Sequence, residues 1–201
     1  MRRKAAASGE LTYHDQDTLI VRVSYFEQKE NYDLLTVNDR PARGSFRDLS
    51  GSTSTGEFGS MLRQVFEPDV HARFTWSRWA SVNDHPAMVF HYDVEQSSSR
   101  WELDYMRSEH LIPAYSGEVF IDRETRAVLR LTQRAVDIPA TYPIQAASTI
   151  LDYDYREISG RQYLLPVHAQ MDMTSYGART RNETDFRNYQ KYSADAVITF
   201  K

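Results

Sequence analysis

Residues 147–174 read ASTILDYDYREISGRQYLLPVHAQMDMT, and this stretch decides the fold class. Its first half places Leu151, Tyr153 and Tyr155 at alternate positions, the period-two pattern of a strand with one apolar face. A Ser159-Gly160 turn then joins this run to a second run of similar length. The stretch therefore predicts a long antiparallel hairpin.

Further strand patterns, separated by short polar turns, flank this hairpin on both sides. They cover residues 18–26, 31–38, 73–81, 87–94, 100–106, 117–121, 128–136, 179–189 and 194–200. No helix of crossover length separates the strands after residue 72, which argues against a parallel sheet. We therefore predict a mainly β (α+β) fold, in which a single curved antiparallel meander sheet forms a half-open barrel of about nine to eleven strands.

One helix pattern precedes most of these strands, at residues 56–66. Its apolar side chains recur at helical spacing and form one stripe, which consists of Phe58, Met61, Leu62, Val65 and Phe66. Ser54 and Glu57 have the spacing of a capping box, and Pro68 follows the last turn. We expect one or two helices to cover the sheet, with this one lying as a lid on its apolar face.

The composition is that of an ordinary globular chain without cysteine. Its 201 residues suit one domain, and we assign residues 1–16 to a flexible lead-in and 17–201 to a single antiparallel β domain. The net charge of −4 argues against a nucleic-acid partner, because phosphate binding needs a basic surplus. No apolar run approaches the ~20 residues of a membrane span, so we expect none.

Local motifs for catalysis or metal binding are missing from the sequence. It contains no H-x-H, H-E-x-x-H, G-x-S-x-G or phosphate-loop pattern. Asp152 and Asp154 share a strand face and could serve acid–base chemistry, although a solvated face is the simpler interpretation. Clustering of His91, His110, Asp152 or Asp154 around one pocket would strengthen the hypothesis of an enzyme. We expect a protein that is not an enzyme, with no catalytic residue, metal site or cofactor.

Several arginines suggest a local basic patch. Arg130 and Arg134 share one face of a predicted strand, and Arg123 and Arg126 lie in the turn before it. Such a patch could meet anionic lipid or an acidic partner, whereas a solvated outer face is the simpler alternative.

An aromatic-rich set on consecutive predicted strands is the more informative feature. Its members are Trp76, Phe90, Tyr92, Trp101, Leu103 and Tyr105. On an open curved sheet they would line an apolar cavity able to hold acyl chains, and on a closed sandwich they would be core. Binding in such a cavity would draw on apolar burial, ~0.8 kcal/mol per methylene.

Five stretches together carry a family resemblance. They are 56–60 (GEFGS), 119–130 (VFIDRETRAVLR), 151–153 (LDY), 163–166 (YLLP) and 186–189 (FRNY). Over residues 18–200 this order resembles uncharacterised bacterial envelope proteins related to the periplasmic outer-membrane lipoprotein carriers, the LolA/LolB-like group. The resemblance implies a half-open barrel that carries a lipid or lipoprotein acyl chain in the periplasm or cell envelope, and an envelope protein as a further partner.

The sequence departs from that family pattern at its start. The basic opening, Met1 to Lys4, is followed by Ser8, Gly9 and Glu10 where a signal peptide needs an apolar region. The family's opening helix and first strand before Leu19 are also missing, and these two departures lead us to expect a truncated start. The family's lipobox cysteine is absent as well. The alternative function is a structural or protein-interaction module of the envelope with a fully packed core.

Overall fold

The computed structural model describes residues 16–49, 52–106 and 108–191, and strands dominate this part of the chain. It contains twelve strands and one α-helix, and every strand pair is antiparallel. The prediction of a mainly β antiparallel fold is therefore confirmed. The residues group into two compact units, 1–51 and 52–201, which are described separately. The lead-in at 1–16 lies almost wholly outside the described residues, and the single domain over 17–201 stays a prediction.

The smaller unit is a three-stranded sheet. Its strands are β1 (Leu19–Phe26), β2 (Lys29–Val37) and β3 (Arg40–Pro41), in that spatial order. Glu27 and Gln28 join β1 to β2 and both have positive φ, 48° and 63°, as in a two-residue type I′ turn. The sequence pattern predicts this second strand from residue 31, two residues late, because Glu27 and Gln28 are not usual turn formers.

The larger unit contains a seven-stranded sheet and a separate two-stranded hairpin. In chain order its strands are β4 (Arg73–Val82), β5 (His85–Val94), β6 (Leu103–Tyr105), β7 (Glu109–Leu111), β8 (Ala114–Asp122), β9 (Val128–Val136), β10 (Ile144–Ile158), β11 (Arg161–Ser175) and β12 (Ala178–Asp185). The main sheet has the order β12-β11-β10-β9-β8-β5-β4, and β6 pairs with β7 alone. The described chain thus forms three sheets where a single one was predicted.

The hairpin at 147–174 is the most regular part of this unit. β10 and β11 pair along their whole length, and Ser159 and Gly160 turn the chain with φ of 52° and 75°. Leu151 and Tyr153 are buried on one face, as the alternation predicts. Tyr155 continues the alternation but is exposed, because it lies near the Ser159-Gly160 turn that closes the hairpin.

Two predicted strands are shorter in the structure. The run 100–106 forms a strand only over Leu103–Tyr105, because its partner β7 is three residues long. The run 179–189 ends as a strand at Asp185. The predicted last strand, 194–200, lies outside the described residues.

The α-helix, α1 (Ser60–Phe66), begins four residues later than predicted. Gly59 occupies the N-cap position, and no side chain caps the helix. The prediction that Ser54 and Glu57 form a capping box is therefore wrong. The reason is local: Gly56 has φ of 100°, which interrupts helical backbone before the first turn. Phe58 therefore lies ahead of α1, where its ring contacts Phe186 at a centroid distance of 5.9 Å.

The main core lies between α1 and one face of the seven-stranded sheet. It consists of Met61, Val65, Val70, Tyr92, Val94, Tyr115, Val119, Leu131, Leu151, Tyr153 and Ala169. The opposite face carries a polar ladder in which side chains from neighbouring strands pair, such as Arg130 with Asp152 and Asp172 with Arg181. That face is not wholly polar, because Val89 and Phe120 pair on it and belong to a second buried apolar cluster with Val82, Ala87 and Leu129.

Candidate functional site

The most unusual surface feature is a row of exposed aromatic rings along β4. Within the described residues β4 pairs with β5 alone, and it is solvent-exposed over most of its ten residues. Phe74, Trp76 and Trp79 are 41%, 46% and 60% exposed, and Phe66 at the end of α1 is 48% exposed. We call these four residues the aromatic tract. Large rings are seldom left in water as a contiguous group unless they bind something.

A β-bulge places the rings of β4 on one face. Phe74 pairs across the strands with Tyr92, and Trp76 pairs with Phe90. The register shifts between Trp76 and Arg78, so Trp79 pairs with Met88 and faces the same side. In a regular strand, residues three apart would point to opposite faces.

The rings of the tract contact one another and the core. Phe66 stacks on Phe74 at a centroid distance of 5.4 Å and an interplanar angle of 13°. Trp76 meets Trp79 edge-on at 5.0 Å. Phe74 also lies 5.9 Å from the buried Tyr92 ring, so the exposed surface is continuous with the packed interior.

Three of the six residues predicted to line a cavity meet at this surface. Trp76 is in the tract, and its ring contacts half-buried Phe90 edge-on at 5.5 Å. Tyr92 is fully buried, and its ring lies 6.2 Å from that of Tyr115 in the main core. These three residues therefore run from the exposed tract to the core.

The other three residues predicted to line the cavity lie in or next to the β6–β7 hairpin. Leu103 is 7% exposed in a separate cluster, against which Trp101 and Tyr105 pack as half-buried side chains. Trp101 also contacts Tyr115 edge-on at 6.0 Å, which links this cluster to the main core. The shared ligand cavity stays a prediction, because these side chains contact core residues in two different places.

The side chains predicted for the lid helix also divide between core and surface. Met61 and Val65 are buried against the sheet, and Leu62 packs beside them. Phe66 points outwards to the tract, and Phe58 precedes the helix. The sheet residues that pack against the helix side of this core include Tyr92, Tyr115, Leu131 and Leu151.

The turn between β8 and β9 supports two arginines at one end of the tract. Asp122 accepts hydrogen bonds from the main-chain N–H groups of Glu124 at 2.7 Å and Thr125 at 2.8 Å. Both bonds favour the charged carboxylate and so lower the pKa of Asp122, and the bond from Thr125 has the larger effect. The Arg123 main-chain N–H donates to Pro86 O at 2.9 Å, which fixes the turn against β5.

Both arginine side chains reach residues of the apolar face. The Arg123 guanidinium lies 5.6 Å from the Trp79 ring centroid, a cation–π geometry. Arg126 Nη1 lies 3.6 Å from the Met88 sulfur. The predicted basic patch is thus partly retained, whereas Arg130 is neutralised by a two-point ion pair with Asp152.

Comparisons of this chain with protein-family models, curated proteins and solved structures find no match. The resemblance to lipoprotein carriers therefore stays a prediction, and so do the envelope location and any protein partner. Within the described residues, no helix combines the length and the apolarity that crossing a bilayer requires.

The four residues weighed for acid–base chemistry occur in separate pairs. His91 contacts Asp93 at 3.3 Å, His110 contacts Asp104 at 2.6 Å, and Asp154 binds Arg156 at 2.6 Å. His91 lines a shallow depression of about 350 Å³ on the polar face, together with Glu118, Thr132 and Arg134. His110, Asp152 and Asp154 do not line that depression.

One exposed trio has the spacing of metal ligands. Single ligand atoms of Glu102, Asp104 and His110 lie within 4.8 Å of one another. Asp104 and His110 face each other across β6 and β7, and their hydrogen bond raises the pKa of His110. Sequence reasoning missed the trio, because its geometry depends on the register of that short hairpin.

Proposed function

We propose that this protein is a non-enzymatic binding protein that takes the acyl chain of a lipid or lipoprotein on the aromatic tract. The observation that carries the proposal is the exposure of Phe66, Phe74, Trp76 and Trp79 on the apolar side of the sheet. Phe66 stacks on Phe74 and Trp76 meets Trp79 edge-on, and these two ring pairs offer apolar surface to a methylene chain. The side chains beneath α1 belong to the packed core, which is why we place the ligand on the tract.

The size of the tract sets the expected affinity. Phe74 and Trp79 are five residues apart, roughly 16 Å at the rise of an extended strand. A chain lying on an open surface loses about half of its water contact, so each methylene contributes about 0.4 kcal/mol. Ten such methylenes contribute about 4 kcal/mol, which corresponds to a Kd of about 1 mM. The ring surface alone thus supports weak, reversible binding, which suits a protein that must release its ligand.

The test is a titration with a fluorescent fatty acid. Replacing one ring of the tract, in Trp79→Ala, should weaken binding about tenfold, because one large contact surface is lost. The matched control is Phe26→Ala, which removes an exposed ring (76%) in the smaller unit. Equal affinity for wild type and both variants would refute the proposal.

A second candidate function is a protein-interaction module that uses the edge of β4. The observation that favours it is an exposed ten-residue strand whose outer hydrogen-bonding groups have no strand neighbour among the described residues. An extended segment of a partner could add to such an edge. Hydrogen exchange separates the two functions: strand addition protects the outward amides of β4, whereas an acyl chain on the rings leaves them exchanging.

A further inference from the structure

We infer that the acyl ligand is a single-chain anionic amphiphile whose headgroup binds Arg123 and Arg126. This inference rests on the proposed function and names the chemical class of its ligand. It depends on where these two arginines lie, on the charges around them and on the geometry of the guanidinium group.

Both arginines lie at the Trp79 end of the tract. Arg123 is placed there by its contact with the Trp79 ring, 5.6 Å from the centroid. Arg126 contacts Met88, which is the cross-strand partner of Trp79. A chain lying along the rings therefore ends beside two guanidinium groups.

The neighbouring charges leave these two arginines available. Arg73 pairs with Glu95, and Arg78 pairs with Glu118. Among the described residues, neither Arg123 nor Arg126 forms an ion pair with a carboxylate. Asp122 precedes Arg123, but its side chain is 5% exposed and accepts hydrogen bonds from the turn.

Glu124 is the other acidic residue of this turn, and its side chain is exposed. It forms no ion pair with either arginine in the described structure. Among the described residues, the two guanidinium groups thus have no carboxylate partner, which complements an anionic headgroup and disfavours a cationic one.

The chemistry of arginine selects the kind of headgroup. A guanidinium donates two parallel N–H groups to a carboxylate or phosphate, and this two-point geometry is stronger than a neutral hydrogen bond. Both side chains are exposed, so they can reorient towards a bound headgroup without leaving a buried charge behind. We commit to a monomeric amphiphile, such as a fatty acid, as the occupant.

The test compares ligands that differ only in their headgroup. Radiolabelled dodecanoate and dodecanol, each held below its aggregation concentration, are equilibrated by dialysis with protein at up to millimolar concentration, and the bound fraction is the readout. Wild type should bind dodecanoate about tenfold more tightly than dodecanol, the difference expected for a charge-assisted hydrogen bond. In Arg123→Gln/Arg126→Gln this preference should vanish, while the affinity for dodecanol stays the same.

The matched control is Arg161→Gln, which removes one exposed positive charge at the β10–β11 turn and should keep the preference. A preference for dodecanoate that survives in the double variant would overturn this inference and leave the proposed function standing. Absence of binding for both ligands would overturn the proposed function itself. Binding to anionic vesicles without binding of monomeric dodecanoate would make a membrane surface the occupant and would also overturn the inference.

Discussion

The Tyr92 hydroxyl donates a hydrogen bond to the main-chain oxygen of Thr132 at 2.7 Å. Tyr92 lies on β5 and Thr132 on β9, so the side chain reaches across β8, the strand between them. The crossing point is Gly117, the cross-strand partner of Tyr92. A ring that lies over a strand glycine fills the place of the missing side chain and fixes the register.

This relationship predicts that Gly117→Ala is strongly destabilising. An added Cβ would lie 1.9 Å from Thr132 O and 2.7 Å from the Tyr92 hydroxyl, and neither can move without breaking the sheet contact. We expect a loss of about 3 kcal/mol in the free energy of unfolding, the upper range for overpacking. Urea unfolding at neutral pH measures it.

Gly177→Ala is the matched control, because nothing lies within 4 Å of its added Cβ. Its φ of 72° limits the cost to about 1 kcal/mol of backbone strain. If both variants lose the same stability, the close approach at Gly117 is not the cause.

The hairpin at 147–174 was predictable because its signals are local. The alternation around Leu151 and the Ser159-Gly160 turn act within one stretch of chain, so the sequence pattern alone identifies them. The short β6 depends instead on the length of its partner, and the start of α1 on the conformation of Gly56. The spacing of residues along the chain does not reveal which distant segments pair or which single residue adopts an unusual backbone conformation.

The sequence predicts only part of the candidate site, because the rest of the site also depends on pairing between distant segments. The sequence singles out Trp76, but the bulge that turns Trp79 to the same face appears only in the register with β5. The sequence indicates only that Arg123 and Arg126 are basic residues in the turn before a predicted strand. Their contacts with Trp79 and Met88 depend on the β8–β9 turn meeting the start of β5, a relationship between segments far apart in sequence.

Buried tyrosines predict a loss of stability at alkaline pH. Burial raises the pKa of Tyr92 well above its usual value and raises that of Tyr115 to about 12. In the unfolded chain both titrate near pH 10, so the folded state binds more protons above that pH. Their contribution is complete below pH 10 and is lost as the pH rises further. For Tyr115, whose pKa rises from 10 to about 12, the loss is about 3 kcal/mol.

Urea unfolding at several pH values between 9 and 12 measures this loss. Tyr92→Phe should reduce the pH dependence, because phenylalanine has no proton to lose. It should also lower stability at pH 7 by about 1 kcal/mol, since the hydrogen bond to Thr132 disappears. If Tyr92→Phe loses as much stability between pH 9 and 12 as the wild type does, the alkaline loss does not come from Tyr92.

Neighbouring residues of α1 should have opposite roles. Val65 is 1% exposed in the core, so Val65→Asp buries an unpaired carboxyl and should cost about 4 kcal/mol or more. Phe66→Asp places its charge in water and should change stability by less than about 1 kcal/mol while weakening fatty-acid binding. Thermal unfolding combined with the fatty-acid titration separates the two effects. Loss of folding in Phe66→Asp would show that the ring is a core residue.

The His110–Asp104 pair predicts a local pH dependence on the β6–β7 hairpin. Protonated His110 donates a hydrogen bond to the Asp104 carboxylate at 2.6 Å, and this bond raises the pKa of His110 above 6.5. A raised pKa means that the folded state binds the proton more tightly, so the pair stabilises the hairpin fully below pH 6.5 and loses this contribution as the pH rises. NMR titration of the imidazole measures the pKa. Asp104→Asn should return it towards its usual value. A His110 pKa that does not respond to this substitution would assign the shift to another group.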